Sequence, residues 1–128
     1  TEQVYARLID AARAVLAAGF PAIVDAAFLR RAQRDALRAL AAEQGAAFAI
    51  LDCQADEALL RERLRARKAA GVDPSEADEA VLDLLRASEE PLQSDEQACA
   101  IRVEAREPWS AGALAAAWLR VERRPGAG

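Results

Sequence analysis

The strongest constraint on the fold is an alternation along the chain between long stretches with helical spacing and short apolar runs. Apolar residues recur at helical spacing over about residues 4–16 and 32–41, and Gly19 and Gly45 follow as expected helix ends. Short apolar runs predict three strands, at residues 22–24, 47–51 and 98–103. Strands that alternate with helices are typical of a sheet covered on both faces. We therefore predict an α/β fold with three layers, in which helices flank a short, mostly parallel sheet.

Two further helices complete this pattern. A third helix starts at about Asp56 and carries Leu60 and Leu64 on its inward stripe. Ser110 is the expected cap of a last helix, where Trp109 and Leu114 have the spacing of a hydrophobic staple. The final segment RRPGAG, residues 123–128, is expected to be a frayed and disordered tail.

The composition excludes several classes of site. The chain has 128 residues, one domain's worth, and no His, which removes Ser-His-Asp triads and His-containing zinc sites. Two Cys are too few for a Cys-only zinc site or a disulfide framework, so no metal site is predicted. A net charge of −4 with 5% aromatic residues argues against nucleic-acid binding. No apolar run is long enough for a membrane span and no signal peptide is recognisable, so we expect a cytoplasmic protein with Cys53 and Cys99 reduced.

One segment differs from the rest in charge. Residues 71–97 carry nine acidic residues and one basic residue. Ser75 and Asp78 resemble a capping box, which predicts a helix over about residues 76–87 that ends before Pro91. The segment fits either a moving lid or a solvated acidic face, and the sequence favours neither.

Candidate site residues come from position in this predicted fold. Asp25 follows the run at 22–24, and ligands of open parallel sheets bind beyond the carboxyl ends of the strands. Asp25 can hold Mg²⁺ through water or accept a proton from a substrate hydroxyl; it can equally cap the next helix. Arg30, Arg31 and Arg34 open that helix and could extend an anion-binding site, although most such charges simply face solvent. Asp52 also ends a predicted strand, but here we favour a structural role.

The third helix contains an unusual pair of arginines. At 100° per residue, Arg67 falls about 20° and Arg63 about 60° from Leu60, on the inward side, while Arg61, Arg65 and Lys68 are expected to face solvent. Arginines that extend an apolar stripe can project into a cleft and bind phosphate oxygens. They can also cover the edge of the core with their methylene stems or pair with the acidic segment.

Four collinear segments over about residues 1–106 carry a resemblance to a known family. They are AIVDAAFLRR at 22–31, FAILDC at 48–53, RLRARKAAGVDPSEADEAVL at 63–82 and EPL at 90–92. Together they resemble the P-loop kinase-like ATPases of the zeta-toxin and polynucleotide-kinase-like type, which are often fused to aminoglycoside-phosphotransferase-like domains.

The resemblance implies an ATP-dependent phosphotransferase with Mg²⁺, acting on a small hydroxyl-bearing substrate. Asp25 would be the catalytic carboxylate after the strand, on either the substrate side or the metal side, and Arg67 would act in catalysis. Arg63 and Arg67 would face the nucleotide and the transferring phosphate. Arg30 and Arg31 are expected to contact the substrate because of their position at the start of the helix. Residues 68–97 would form the lid.

The chain also departs from this family's pattern. It contains no G-x-x-x-x-G-K-[ST] motif to hold the phosphates, Ala27 replaces a hydroxyl residue, and Leu85 stands where Gln is common. We therefore expect residues 1–128 to be the C-terminal part of such a kinase, with the first strand and the P-loop missing. The isolated chain would bind no cofactor and be inactive, while nucleotide and substrate would bind through the missing part.

A non-catalytic binding or oligomerisation module derived from a P-loop kinase is the alternative. In the related kinases the first strand is central, so its loss would leave two apolar strand edges exposed. The chain is then expected either to pair the strands at 22–24 and 47–51 directly or to form a homodimer through these edges.

Overall fold

The structure of the protein is a computed structural model that describes residues 1–71, 79–106 and 108–122. The elements in these ranges are α1 (Glu2–Ala17), α2 (Arg31–Glu43), β1 (Ile50–Gln54), α3 (Glu57–Ala70), α4 (Glu79–Ala87), α5 (Ser94–Gln97), β2 (Ala100–Glu104) and α6 (Ala111–Glu122).

The sheet of the described residues consists of two parallel strands. β1 pairs with β2 in a register that sets Ile50 opposite Ala100 and Gln54 opposite Glu104. A parallel pair requires a crossover between its strands, and α3, α4 and α5 all lie in that connection. The α/β fold with a short parallel sheet and flanking helices is therefore confirmed.

The predicted strand at residues 22–24 is wrong. This segment has no strand hydrogen bonds, and Ile23 is 91% exposed. The expected direct pairing of 22–24 with the next strand is wrong for the same reason, since β1 pairs with β2. A run of three apolar residues forms a strand only where another strand supplies hydrogen bonds and a covered face, and the described part of the chain supplies neither here.

The other two strands are confirmed with shifted bounds. β1 lies three residues later than its apolar run, so Asp52 is in the middle of the strand rather than after it. Its Oδ1 atom accepts a hydrogen bond from Gln54 Nε2 at 2.7 Å, and it lies opposite Arg102 of β2. These contacts give Asp52 a structural environment within the sheet.

Local signals set the helix ends correctly. Gly19 and Gly45 follow α1 and α2 with φ of 87° and 65°, values that glycine adopts without a Cβ clash. Asp56 caps α3 by accepting a hydrogen bond from the Leu59 N–H at 2.8 Å, and Ser110 Oγ accepts one from the Ala113 N–H at 3.1 Å. Trp109, the expected staple residue, is 65% exposed.

The core lies between the sheet and α6. Cys99, Ile101 and Val121 are buried together, and the partly buried apolar residues packed on them are Phe48, Ala49, Ile50, Leu114 and Ala117. A second buried patch, Ala12, Leu40 and Ala41, lies on α1 and α2, which pack against each other. No helix in the described ranges is both long and apolar enough to cross a membrane.

The acidic segment is only partly described. Its predicted helix corresponds to α4, which ends at Ala87, four residues before Pro91. The capping-box residues Ser75 and Asp78 lie outside the described residues, as does the tail at 123–128. The four-residue helix α5 was not predicted from the sequence.

Candidate functional site

The segment between α1 and α2 holds Asp25 on an irregular loop instead of a strand end. Asp25 is exposed. Three residues later, Phe28 has φ of 47°, a left-handed conformation that is unfavourable for a bulky side chain. The Phe28 N–H donates to Tyr5 Oη at 3.2 Å, and its carbonyl accepts from Arg34 Nη1 at 2.9 Å. The turn after Asp25 is thus fixed at both backbone groups by side chains of α1 and α2.

The N-terminus of α2 is occupied by a carboxylate of the chain itself. Glu90 Oε2 accepts a hydrogen bond from the Arg31 N–H at 2.6 Å, and the Glu90 N–H donates to the Leu29 carbonyl at 2.8 Å. The Arg30 N–H donates to Gln33 Oε1 at 3.1 Å. The anion-binding capacity expected at this helix end is therefore used within the fold.

Arg31 and Arg38 of α2 bind Asp95 of α5. Arg31 forms two parallel hydrogen bonds with the Asp95 carboxylate, at 3.0 and 2.7 Å, and a third contact with Asp35 at 3.2 Å. Arg38 Nη1 reaches Asp95 Oδ2 at 3.0 Å. Hydrogen bonds from Arg31 in particular lower the pKa of Asp95 to about 2. Arg31, expected to contact substrate, already has its charge matched by carboxylates of the protein.

Arg34 and Glu96 form the most buried ion pair of the described residues. Arg34 Nε lies 2.5 Å from Glu96 Oε1, and Nη2 lies 3.1 Å from Oε2. Glu96 also accepts a hydrogen bond from the Gln93 N–H at 2.9 Å. The Arg34 hydrogen bonds hold the pKa of Glu96 below its ordinary value, against the opposite effect of burial.

Sequence reasoning did not find the pairs of Arg34 and Arg38. A signal was available, because Arg31, Arg34 and Arg38 recur at i, i+3 and i+7, the spacing of one helix face. Such a basic stripe facing an acidic segment favours ion pairing between them. The segment's carboxylates are accordingly matched by arginines at several points, rather than forming a purely solvated face.

The predicted orientation of Arg61 on α3 is wrong. Its side chain is only 23% exposed, and it contacts Glu57 of its own helix and Glu79 and Asp83 of α4 at 2.6 to 2.8 Å. Arg65 Nε also binds Glu79, at 2.9 Å. The two acidic residues of α4 therefore hold this face of α3 against α4, and helical spacing within α3 alone does not predict that attraction.

Arg63 and Arg67 lie elsewhere on α3, and both are exposed. In the described part of the chain, Arg63 has no ion pair, and no hydrogen bond joins Asp25 to either arginine. The structure thus places Arg30 at the N-cap and Arg31 at the first position of α2, the helix that follows the Asp25 loop. It shows no direct contact between Asp25 and the α3 arginines.

Among the described residues, no group of three or more His, Cys, Asp or Glu side chains could hold a metal ion. Cys53 is exposed on β1, and Cys99 is buried, where its Sγ accepts a hydrogen bond from Arg38 Nη2 at 3.1 Å. These side chains offer an exposed carboxylate and exposed arginines, and the described residues contain no cluster of metal ligands.

Comparison with known proteins identifies the family. A family model described as an AAA domain matches residues 1–92, which is more than two thirds of the chain and includes the Asp25 loop and all of α3. No curated protein and no solved structure matches the chain. The chain therefore belongs to the AAA domain family, a P-loop NTPase-like kinase family.

Proposed function

We propose that this chain supplies the substrate side and the arginine-bearing arm of an ATP-dependent phosphotransferase that acts on a small hydroxyl-bearing substrate. The observation that carries the proposal is the family match over residues 1–92, which covers Asp25 and α3 in one stretch. Within the family, the segment at 63–82 favours the zeta-toxin and polynucleotide-kinase-like members. We place the protein in the cytoplasm.

Asp25 is the proposed catalytic residue on the substrate side. It is exposed and therefore accessible to a small molecule, while the turn that follows it is fixed through Phe28. A carboxylate at this place can accept the proton of a substrate hydroxyl as that oxygen becomes a nucleophile. Its role is to orient the hydroxyl and to take up the proton.

Arg63 and Arg67 are the proposed phosphate-facing residues of the arm. They are spaced i, i+4, so they share one face of α3, while Arg61 and Arg65 share another face that binds α4. This division lets α3 bind the lid helix with one face and direct a different face toward an anionic ligand. Planar guanidinium groups suit phosphate oxygens because they donate two parallel hydrogen bonds.

Arg30 and Arg31 are the proposed substrate contacts, with unequal roles. Arg30 is exposed at the N-terminal end of α2, so it can reach an acidic substrate group without breaking an ion pair of the described structure. A substrate that binds Arg31 has to compete with Asp95 and Asp35. Arg31 therefore contributes mainly by holding the end of α2 in place.

The described residues do not by themselves fit ATP and Mg²⁺. The sequence contains no G-x-x-x-x-G-K-[ST] motif, and Glu90 occupies the N-terminus of α2, where a phosphate would otherwise find backbone N–H groups. We propose that residues encoded before Thr1 supply the phosphate-binding loop and that the isolated chain is inactive.

Two experiments test this function. The coding sequence immediately before Thr1 should encode a glycine-rich turn that ends in Lys-Ser or Lys-Thr. Calorimetric titration of the 128-residue chain with Mg·ATP should detect no tight binding, whereas the protein that includes the upstream residues should bind. Tight binding to the isolated chain, or an upstream sequence without such a turn, would contradict the proposal.

The second candidate function is a non-catalytic binding or oligomerisation module. Large apolar side chains on the Asp25 loop and on β1 favour it, because Ile23 is 91%, Phe20 67% and Leu51 51% exposed. Light scattering of the chain tests it. A dimer that Ile23→Ser disrupts supports this module, and a strictly monomeric chain with weak binding of a hydrophobic dye counts against it.

A further inference from the structure

The conformation of Phe28 requires support from the rest of the fold. It is the one residue other than glycine with positive φ among those described, and its ring packs edge-on against Tyr5 with centroids 5.4 Å apart. Unfavourable backbone conformations persist where surrounding contacts determine them. Here Tyr5 Oη binds the Phe28 N–H, and Arg34 binds its carbonyl.

The rigid guanidinium group of Arg34 binds two partners at once, Phe28 and Glu96. Its Nη1 atom donates to the Phe28 carbonyl, while Nε and Nη2 donate to the two oxygens of Glu96. The guanidinium is planar, so its donors keep fixed directions relative to one another. A displacement of the Glu96 carboxylate therefore reorients the donor that holds Phe28.

Glu96 in turn lies near the C-terminal end of the acidic segment at 71–97. It lies in α5, its side chain is 1% exposed, and one of its oxygens also caps the start of that helix through the Gln93 N–H. Six residues earlier, the Glu90 N–H donates to the Leu29 carbonyl, and the Glu90 carboxylate accepts from the Arg31 N–H. Glu90 therefore binds the residues that follow Phe28. Hydrogen bonds of Glu90 and of Arg34 therefore connect the segment at 90–96 to the Asp25 loop.

We propose that Arg34 and Glu96 are positioning residues that couple the segment at 90–96 to the Phe28 turn and through it to Asp25. Neither acts on substrate directly. Because the lid helix α4 runs into this segment, the coupling gives the lid a route by which its position sets the orientation of Asp25. The importance of that orientation for turnover rests on the proposed function, whereas the coupling itself does not.

The test uses Glu96→Gln, with Asp95→Asn as the matched control on the same short helix. Asp95 binds Arg31 and Arg38 but has no bond to Arg34. Amide hydrogen exchange by NMR should be about tenfold faster at Phe28 in Glu96→Gln, equivalent to about 1.4 kcal/mol of local opening free energy. The carboxyl carbon of Asp25 should shift in the same variant. Asp95→Asn should leave both signals unchanged.

A second variant tests the coupling by a change at Tyr5 and leaves the buried Arg34–Glu96 ion pair intact. Tyr5→Phe removes only the acceptor of the Phe28 N–H and should shift the Arg34 Nε–H resonance, although Tyr5 has no hydrogen bond to Arg34. Unchanged Phe28 and Asp25 signals in Glu96→Gln, or an unchanged Arg34 resonance in Tyr5→Phe, would overturn the inference. These signals are measured without nucleotide, so they are independent of the Mg·ATP experiment that tests the proposed function.

Discussion

Arg34 and Glu96 lie 62 residues apart in the sequence and form a bidentate ion pair whose side chains are 7% and 1% exposed. The pair joins α2 to α5 and so ties the acidic segment to the helix after the Asp25 loop. A buried charge without its partner is costly because neither water nor a counter-charge compensates it. The stability of the fold therefore depends on this single contact, and the same contact fixes the geometry near the candidate site.

Removal of one partner of this pair should strongly destabilise the fold. We expect Glu96→Ala to lower the free energy of unfolding by about 3 to 5 kcal/mol, since Arg34 is left buried and unpaired. Urea denaturation measures the change. The matched control is Glu43→Ala, which removes the exposed pair with Arg13 and should cost at most about 1 kcal/mol. Equal losses in the two variants would contradict the assigned importance of burial.

The stability of the protein should fall on acidification in a defined range. The folded pKa of Asp95 is lowered from 3.8 to about 2 by its hydrogen bonds with Arg31 and Arg38, and that of Asp56 to about 2 chiefly by Arg106. A depressed carboxyl pKa stabilises the folded state above the ordinary pKa, and this contribution is lost as the pH falls from about 4 to about 2. Urea midpoints measured across this range should decline.

The variant that checks the acid response is Asp95→Asn, which cannot titrate at this position. Its urea midpoint should decline less steeply between about pH 4 and pH 2 than that of the parent chain. Asp10→Asn, on exposed α1, serves as the control. If both variants retain the slope of the parent, the ion pairs of Asp95 are not responsible for the acid response.

The attachment of α4 to α3 should depend on Arg61 and on salt. Arg61 contacts both Glu79 and Asp83, so Arg61→Gln should accelerate amide exchange throughout α4. About 1 M salt, which shortens the Debye length to about 3 Å, should act in the same direction on the parent chain. Arg63→Gln is the matched control on the same helix and should leave α4 exchange unchanged. Loss of protection in the control alone would reverse the assignment of the two faces of α3.

In the proposed kinase with its phosphate-binding loop, Asp25→Asn should separate catalysis from stability. Because Asp25 is exposed, we expect an unchanged urea midpoint. Loss of the proton acceptor should lower kcat by about 100-fold or more, with little change in the KM for ATP. Steady-state phosphoryl transfer measures both constants, with Asp10→Asn as the control. Full turnover in Asp25→Asn would remove Asp25 from the catalytic role.

Local sequence determined the helices because their signals lie within a few residues. The cap of α3 at Asp56 and the end of α1 at Gly19 follow from side-chain and backbone chemistry at those positions. The parallel sheet could be predicted in the same way, since apolar runs alternated with helical stretches. The resemblance to the kinase-like family is likewise a property of the sequence, because its four segments keep their order along the chain.

Tertiary structure alone decided which residues meet. The apolar run around Ile23 stays exposed because a strand depends on a neighbour that its own sequence does not encode. Helical spacing placed Arg61 toward solvent, yet Glu79 draws it to α4, since ion pairing acts between elements and not along one helix. Glu96 is buried for the same reason: only the folded chain brings Arg34 to it, and only that contact makes the burial of its charge tolerable.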